Sequence, residues 1–288
     1  MFVIRMRTIL LYLFLVAVIF CTVHFYTTCE AELAVDAEGV MQEELPILMY
    51  HGVTRDLSQV SRFVISEEML EKDLNYLKEN GYESITVADA IAYVKDGTPL
   101  PEKPVMITFD DGYYNNYCYA FPLLQKYQMK AVISIIGRFT DFYSETPEEN
   151  PAYSHITWNE INEMMASGLI EFQNHSYDLH SMTRGRSGAK KKWGETNQEY
   201  AAFLEKDLGL LQQKMQEHTG YLPTAFAYPF GGVSEASYEV LRNMGFQATF
   251  SCEEKTNYLT QGDISCLEML NRFLRSDKTG AKAILERL

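Results

Sequence analysis

Short, unbroken apolar runs alternate along this chain with segments in which apolar residues return every third or fourth position. Pro46-Ile-Leu-Met-Tyr50, closed by His51-Gly52, and Val105-Met-Ile-Thr-Phe109, closed by Asp110-Asp111-Gly112, have no polar face and predict strands covered on both sides. Residues 131–136, 169–172, 225–228 and 247–250 read the same way, and Asn174-His175 follows the second of these runs. Helical patterns lie between them. Residues 66–80 carry Met69, Leu70, Leu74 and Leu77 on one stripe, with Ser66 as N-cap and Gly81 past the end. Further helices are predicted at 87–94, 117–127, 157–166, 199–218 and 235–244; the longest bears Phe203, Leu208, Leu211 and Met215 and stops at Gly220. Such alternation, with strands buried on both faces, is the pattern of a parallel sheet sheathed by helices, an α/β fold. In barrels of this kind the chemistry gathers at the carboxyl ends of the strands. Polar residues that close apolar runs are therefore the ones to examine.

The N-terminus departs from that pattern. Arg5 and Arg7 precede an apolar run from Ile9 to Cys21, and Glu30, Glu32, Asp36, Glu38, Glu43 and Glu44 follow it. Positive before and acidic after predicts export with the N-terminus held inside. Residues 1–29 are expected to be a signal peptide or a membrane anchor, residues 30–44 an acidic linker, and residues 45–288 one domain outside the cytoplasm. Composition, 47% hydrophobic and 22% charged, is ordinary for a globular chain. A formal net charge of −14 sets nucleic acid aside as a partner, because phosphate backbones need clustered positive charge. The five cysteines (Cys21, Cys29, Cys118, Cys252, Cys266) show no CxxC spacing, so neither a disulfide framework nor a cysteine zinc site is indicated, and a Cys252–Cys266 bridge stays open.

Two strand ends carry unusual side chains. Adjacent carboxylates at Asp110 and Asp111 repel each other unless a cation sits beside them, and a bound metal would let one ligate while the other stays free as a base. The other strand end offers His175 and His180. Five residues apart they would stand about 140° from each other on a helix, so they are expected on a loop, where both imidazoles can converge on one ion. One carboxylate and two histidines suit a hydrolytic zinc centre and also a non-haem iron oxygenase. Hydrolysis is preferred, because it employs both aspartates and because βα units do not make the jelly roll common among such oxygenases.

These residues resemble the polysaccharide deacetylases, carbohydrate esterase family 4 or the NodB-homology domain. Thr108-Phe-Asp-Asp-Gly112 is similar to that family's first motif and His175-Ser176…His180 to its second, with the histidine spacing of the poly-N-acetylglucosamine deacetylases of biofilm systems. Pro46-Ile-Leu-Met-Tyr-His51 is similar to the opening strand of that subgroup, and Phe226-Ala-Tyr-Pro-Phe-Gly231 to the third motif. The resemblance implies a distorted (β/α) barrel of about seven parallel strands behind the N-terminal apolar helix. It also implies a divalent metal held by Asp111, His175 and His180, zinc first, with cobalt, nickel or iron(II) as alternatives. Asp110 would be the base that takes a proton from the attacking water, and His51 the general acid. The metal and the backbone N–H of Phe230 would hold the oxyanion.

Two departures stand out. Ala227 occupies the place where the third motif usually starts with an arginine that orients the base, and Leu270-Asn-Arg272 lies where a leucine-x-histidine is usual. Arg272 is expected to replace the missing arginine in space.

The implied activity is removal of N-acetyl groups from an acetylated extracellular amino-sugar polymer, poly-N-acetylglucosamine or peptidoglycan glycan. The alternatives are a polysaccharide O-acetyl esterase and a catalytically silent glycan-binding module. Tyr113 and Trp158 are expected to stack on sugar faces, and Asp178 to orient an imidazole or cap a turn. His24, His155 and His218 read as isolated structural histidines, and the basic stretch Arg184-Gly-Arg…Lys190-Lys-Lys192 as a solvated loop. The Asn174-His-Ser176 sequon is discounted, because it would lie inside the site.

Overall fold

The computed structural model describes residues 42–182 and 185–288. The predicted signal or anchor segment and most of the predicted linker lie outside the described residues. Among the described residues no helix is long and apolar enough to cross a membrane. The last residues assigned to the linker are already structured, as part of the first strand.

The strands in chain order are β1 (Gln42–Leu45), β2 (Ile47–Tyr50), β3 (Gly52–Thr54), β4 (Val64–Ser66), β5 (Glu83–Ile85), β6 (Pro104–Phe109), β7 (Ala131–Ile135), β8 (Ile170–Asn174), β9 (Ala225–Ala227), β10 (Ala248–Phe250), β11 (Asn257–Thr260) and β12 (Phe273–Leu274). The helices are α1 (Glu67–Glu79), α2 (Val87–Asp96), α3 (Phe121–Tyr127), α4 (Gly137–Glu145), α5 (Trp158–Ala166), α6 (Asn197–Thr219), α7 (Ala236–Asn243) and α8 (Ala281–Leu285). Seven strands pair in parallel in the order β10-β9-β8-β7-β6-β2-β12, with β5 added beside the start of β6. This is the expected curled α/β sheet of seven strands. The edge of β10 does not stay open: Leu270 N–H donates to the Thr249 carbonyl (2.7 Å) and Ser251 N–H to the Leu270 carbonyl (2.8 Å). The same segment then runs into β12, which pairs with β2. A strap of chain thus joins the two edges of the curl.

Alternate residues along the strands face two different cores, as a period of two requires. Leu48, Ile107, Ile133 and Phe172 pack outward with Leu70, Leu74, Leu124, Ile161 and Leu211 from the helices. Ile47, Met106, Val132, Ala227 and Phe250 pack inside the curl with Val87, Tyr93 and Leu270. Both faces are buried, which is why the strand sequences show no polar alternation.

The helix starts follow their caps. Thr86, Thr157 and Thr196 each close a capping box with an acidic residue three positions on. Three expectations need correction. The helix predicted at 117–127 is split, with one wide turn over Asn116–Ala120 before α3. Helix α4 escaped notice, since Arg138, Asp141 and Ser144 interrupt any apolar stripe in its nine residues. Cys252 and Cys266 are free thiols: Cys252 packs against Gly231, and Cys266 against Thr260.

Candidate metal centre

The site is built where β6 and β8 end. Met106, Thr108 and Asp110 share the inward parity of β6, so Asp110 continues the row that faces the inside of the curl. The chain then turns sharply, with Asp111 at φ 71° and Gly112 at φ 69°. Aspartate tolerates this left-handed region better than most residues. At Gly112 a Cβ would come within 2.8 Å of Ile135 Cγ2, so glycine is required on both counts. Segment 150–156 clamps the turn from outside: Tyr114 N–H donates to the Ser154 carbonyl (2.7 Å) and Ile156 N–H to the Gly112 carbonyl (2.9 Å).

The second set of side chains comes from the loop after β8. Asn174 is fully buried, accepts from Ser176 N–H (2.8 Å) and donates to the Leu208 carbonyl (3.2 Å), so the sequon is enclosed. Asp207, on α6, accepts from the backbone N–H groups of Tyr177 (2.8 Å) and Asp178 (3.0 Å) and so shapes the loop between the two histidines. Burial pushes the Asp207 carboxyl up to about 6, with the Asp178 charge adding to the rise against the two N–H donors.

These two elements bring Asp111, His175 and His180 together, with one donor atom from each inside a group no wider than 4.8 Å. Asp111 Oδ1 lies 3.5 Å from His175 Nε2 and 3.2 Å from His180 Nε2, is buried, and accepts no hydrogen bond. His175 Nδ1 lies 2.8 Å from the Ala227 carbonyl, which can only accept, so Nδ1 carries the hydrogen and Nε2 offers a lone pair. A lone pair facing a carboxylate oxygen needs a cation between or beside them. Donors held by tetrahedral zinc at about 2.0–2.1 Å sit roughly 3.3–3.4 Å apart, which matches both separations. The donor set fits a divalent metal.

Asp110 does not join this group. It is 2% exposed, and its two oxygens receive both terminal nitrogens of Arg272, at 2.7 Å and 2.8 Å. Arg272 is fully buried; its Nε donates to the Ser251 carbonyl (3.0 Å), and its guanidinium stacks over Phe250. Burial alone would raise the Asp110 carboxyl. The Arg272 guanidinium, with His175 and His51, outweighs that and holds it below the ordinary value. His51 lines the same cavity of about 450 Å³, its Nδ1 is buried without a hydrogen-bond partner, and burial lowers its basicity. Phe230 sits at φ 58° with its ring 4.3 Å from that of His180, and Tyr113 forms part of the cavity wall. A non-glycine residue held there costs about 1–3 kcal/mol, the kind of strain that marks functional loops.

Some expectations fail. Trp158 is 5% exposed and lies flat against His218 (centroids 4.6 Å, 8° between planes), so its face is not free for a sugar. Asp178 pairs with Arg138 (2.9 Å) and neither orients an imidazole nor caps a turn. His155 is not isolated: its ring packs on Tyr113, Phe139 and Tyr143. The basic loop is partly docked, since Ala189 is buried and Arg186 pairs with Glu195 over Phe203; Arg184 lies outside the described residues.

An α/β half-barrel with a buried Asp-His-His set and a second carboxylate beside it defines a class of hydrolase-like metal proteins. The profile of the family described as "Polysaccharide deacetylase" matches residues 97–249, just over half of the chain. The chain belongs to the polysaccharide deacetylase family. It is 25% identical over 228 residues to the poly-beta-1,6-N-acetyl-D-glucosamine N-deacetylase of Escherichia coli K12, covering 72% of this chain and 33% of that protein. The chain thus spans about a third of that relative's length. Among solved structures, a de-N-acetylase from Aggregatibacter actinomycetemcomitans aligns with a TM-score of 0.73 at 26% identity, covering 85% of this chain and all of the other. IcaB from Ammonifex degensii aligns with a TM-score of 0.68 at 28% identity, covering 85% and 96%.

Proposed function

We propose that this protein is an exported, metal-dependent deacetylase that hydrolyses N-acetyl groups on an extracellular amino-sugar polymer of the poly-N-acetylglucosamine type. One observation carries the reading. The structure holds one carboxylate and two imidazoles at metal-ligand spacing, with a second carboxylate kept ionised and free of that group.

In this reading Asp111, His175 and His180 hold the metal, zinc first, and the metal when bound supplies Lewis acidity for the acetamide carbonyl and the attacking water. Asp110 takes the proton from the attacking water. Arg272 orients that base, its two-pronged contact fixing both carboxylate oxygens in the cavity wall. It takes the place in space of the arginine that Ala227 does not supply. Phe230 offers its backbone N–H to the developing oxyanion. His51 delivers a proton to the departing amine; its Nδ1 has no partner in the protein and lines the cavity where the amine would leave. Tyr113 packs beside the sugar ring.

The test is acetate release from N-acetylglucosamine oligomers by the purified chain, with and without added zinc. Wild type is expected to turn over only when loaded. Asp110→Asn is expected to keep its zinc and lose roughly 10²–10⁴-fold in rate. Zinc bound with no acetate released under any metal would leave the silent glycan-binding module standing instead.

A further inference from the structure

The catalytic cavity ends at Tyr113, and on the far side of that side chain the surface opens again. A groove of about 410 Å³ is lined by Tyr114, His155, Glu148, Glu149, Glu160 and His218. Its inner end adjoins the catalytic cavity, since the rings of Tyr113 and His155 are in contact at 4.8 Å between centroids. Glu148 and Glu149 come from the loop after α4, and Glu160 from the first turn of α5, with Glu163 one turn further on. Among the described residues none of these four carboxylates forms an ion pair with lysine or arginine. They raise one another: burial lifts the Glu160 carboxyl first, and the Glu149 and Glu163 charges add to it. A second observation points to a ligand. His155, 8% exposed, forms part of the groove lining, and its Nδ1 is buried without a hydrogen-bond partner.

The arrangement does not suit a divalent ion. Among the described residues the donors that converge tightly enough for one are those of Asp111, His175 and His180, and the groove carboxylates do not. Spread-out carboxylates suit ammonium groups on a repeating chain, and an unpartnered imidazole nitrogen suits a sugar hydroxyl. We propose that this groove binds units of the polymer that have already lost their acetyl group and carry a free, protonated amine. It would hold them next to the unit seated in the catalytic cavity. The proposal deepens the deacetylase reading and rests on it for the identity of the polymer. Its consequence is directional: a stretch already deacetylated anchors the chain while the neighbouring acetylated unit enters the metal site.

The experiment uses the full chain stripped of metal, so that no turnover occurs, and measures binding of glucosamine and N-acetylglucosamine oligomers of equal length in mildly acidic buffer. The free-amine oligomer is expected to bind about tenfold more tightly, the margin shrinking with added salt. Glu148→Gln/Glu149→Gln is expected to abolish the preference while leaving acetate release from a short, fully acetylated substrate unchanged. Both side chains are exposed, so the variant folds, and glutamine can still accept the Tyr153 hydroxyl that Glu148 accepts. Equal affinity for the two oligomers in wild type, or an undiminished preference in the variant, overturns the proposal. The outcomes separate cleanly. A charge-dependent preference without acetate release defeats the deacetylase reading and leaves the groove; acetate release without such a preference does the reverse.

Discussion

Asp110 and Arg272 lie 162 residues apart in sequence and form a two-pronged ion pair in a place that water does not reach. The pair is a specificity device as much as a stabilising one, since charges taken out of water regain little beyond their desolvation. Removing one partner is another matter. Arg272→Met leaves a buried carboxylate without a cation, which costs about 3–5 kcal/mol in unfolding free energy. It also lets Asp110 rise, so the acidic limb of the pH–rate profile is expected to move to higher pH, and a profile unchanged from wild type would deny Arg272 its orienting role. The linkage sign follows from the lowered Asp110 value. The stability it contributes is present above the unfolded carboxylate range (about 3.9) and lost as pH falls through its lower folded value.

The elements that carry the ligands are legible in the sequence to unequal degrees. The strand ends showed because apolar runs stopped abruptly on Asp110-Asp111-Gly112 and Asn174-His175, and the cost of burying charge makes such stops informative. Asp207 had a signal that was passed over: it sits between Leu204, Leu208 and Leu211 on the buried stripe of α6, where a carboxylate has no structural business unless something accepts it. Its partners are the N–H groups of the histidine loop. Asp207→Ala is expected to weaken zinc binding by roughly tenfold, read by competition with a chelator. Because burial raises Asp207 to about 6, the stability it contributes is present below about 4 and fades as pH rises through 6. The difference in unfolding free energy between wild type and Asp207→Asn should therefore fall by about 2 kcal/mol across that interval, measured without metal. Gly112→Ala drives a methyl against Ile135 in a left-handed backbone, and about 2–4 kcal/mol of stability should go with it in a denaturant titration.

At the scale of the whole molecule, periodicity gave the α/β class and the resemblance gave the half-barrel, but neither gave the closure. The strap over residues 269–271 has no apolar run of its own; its place is set by hydrogen bonds to β10 on one side and by continuity into the two-residue strand β12 on the other. That is why Arg272 could be named as a candidate and not placed. Native-state hydrogen exchange gives the check. The Leu270 and Ser251 amides should be protected nearly as well as those in the β6–β7 pair, while early exchange there would mean that the curl opens without global unfolding.

The strap has a developmental implication for the protein. A ribosome releases Asp110 long before Arg272, and until the late segment has crossed from one rim to the other the proposed base stands beside no guanidinium. An incompletely matured chain, even one already able to capture zinc, would carry a misprotonated, idle carboxyl group. Hydrolytic competence would then arrive only with the last stitch, so that acetate release serves as its own certificate that assembly has finished.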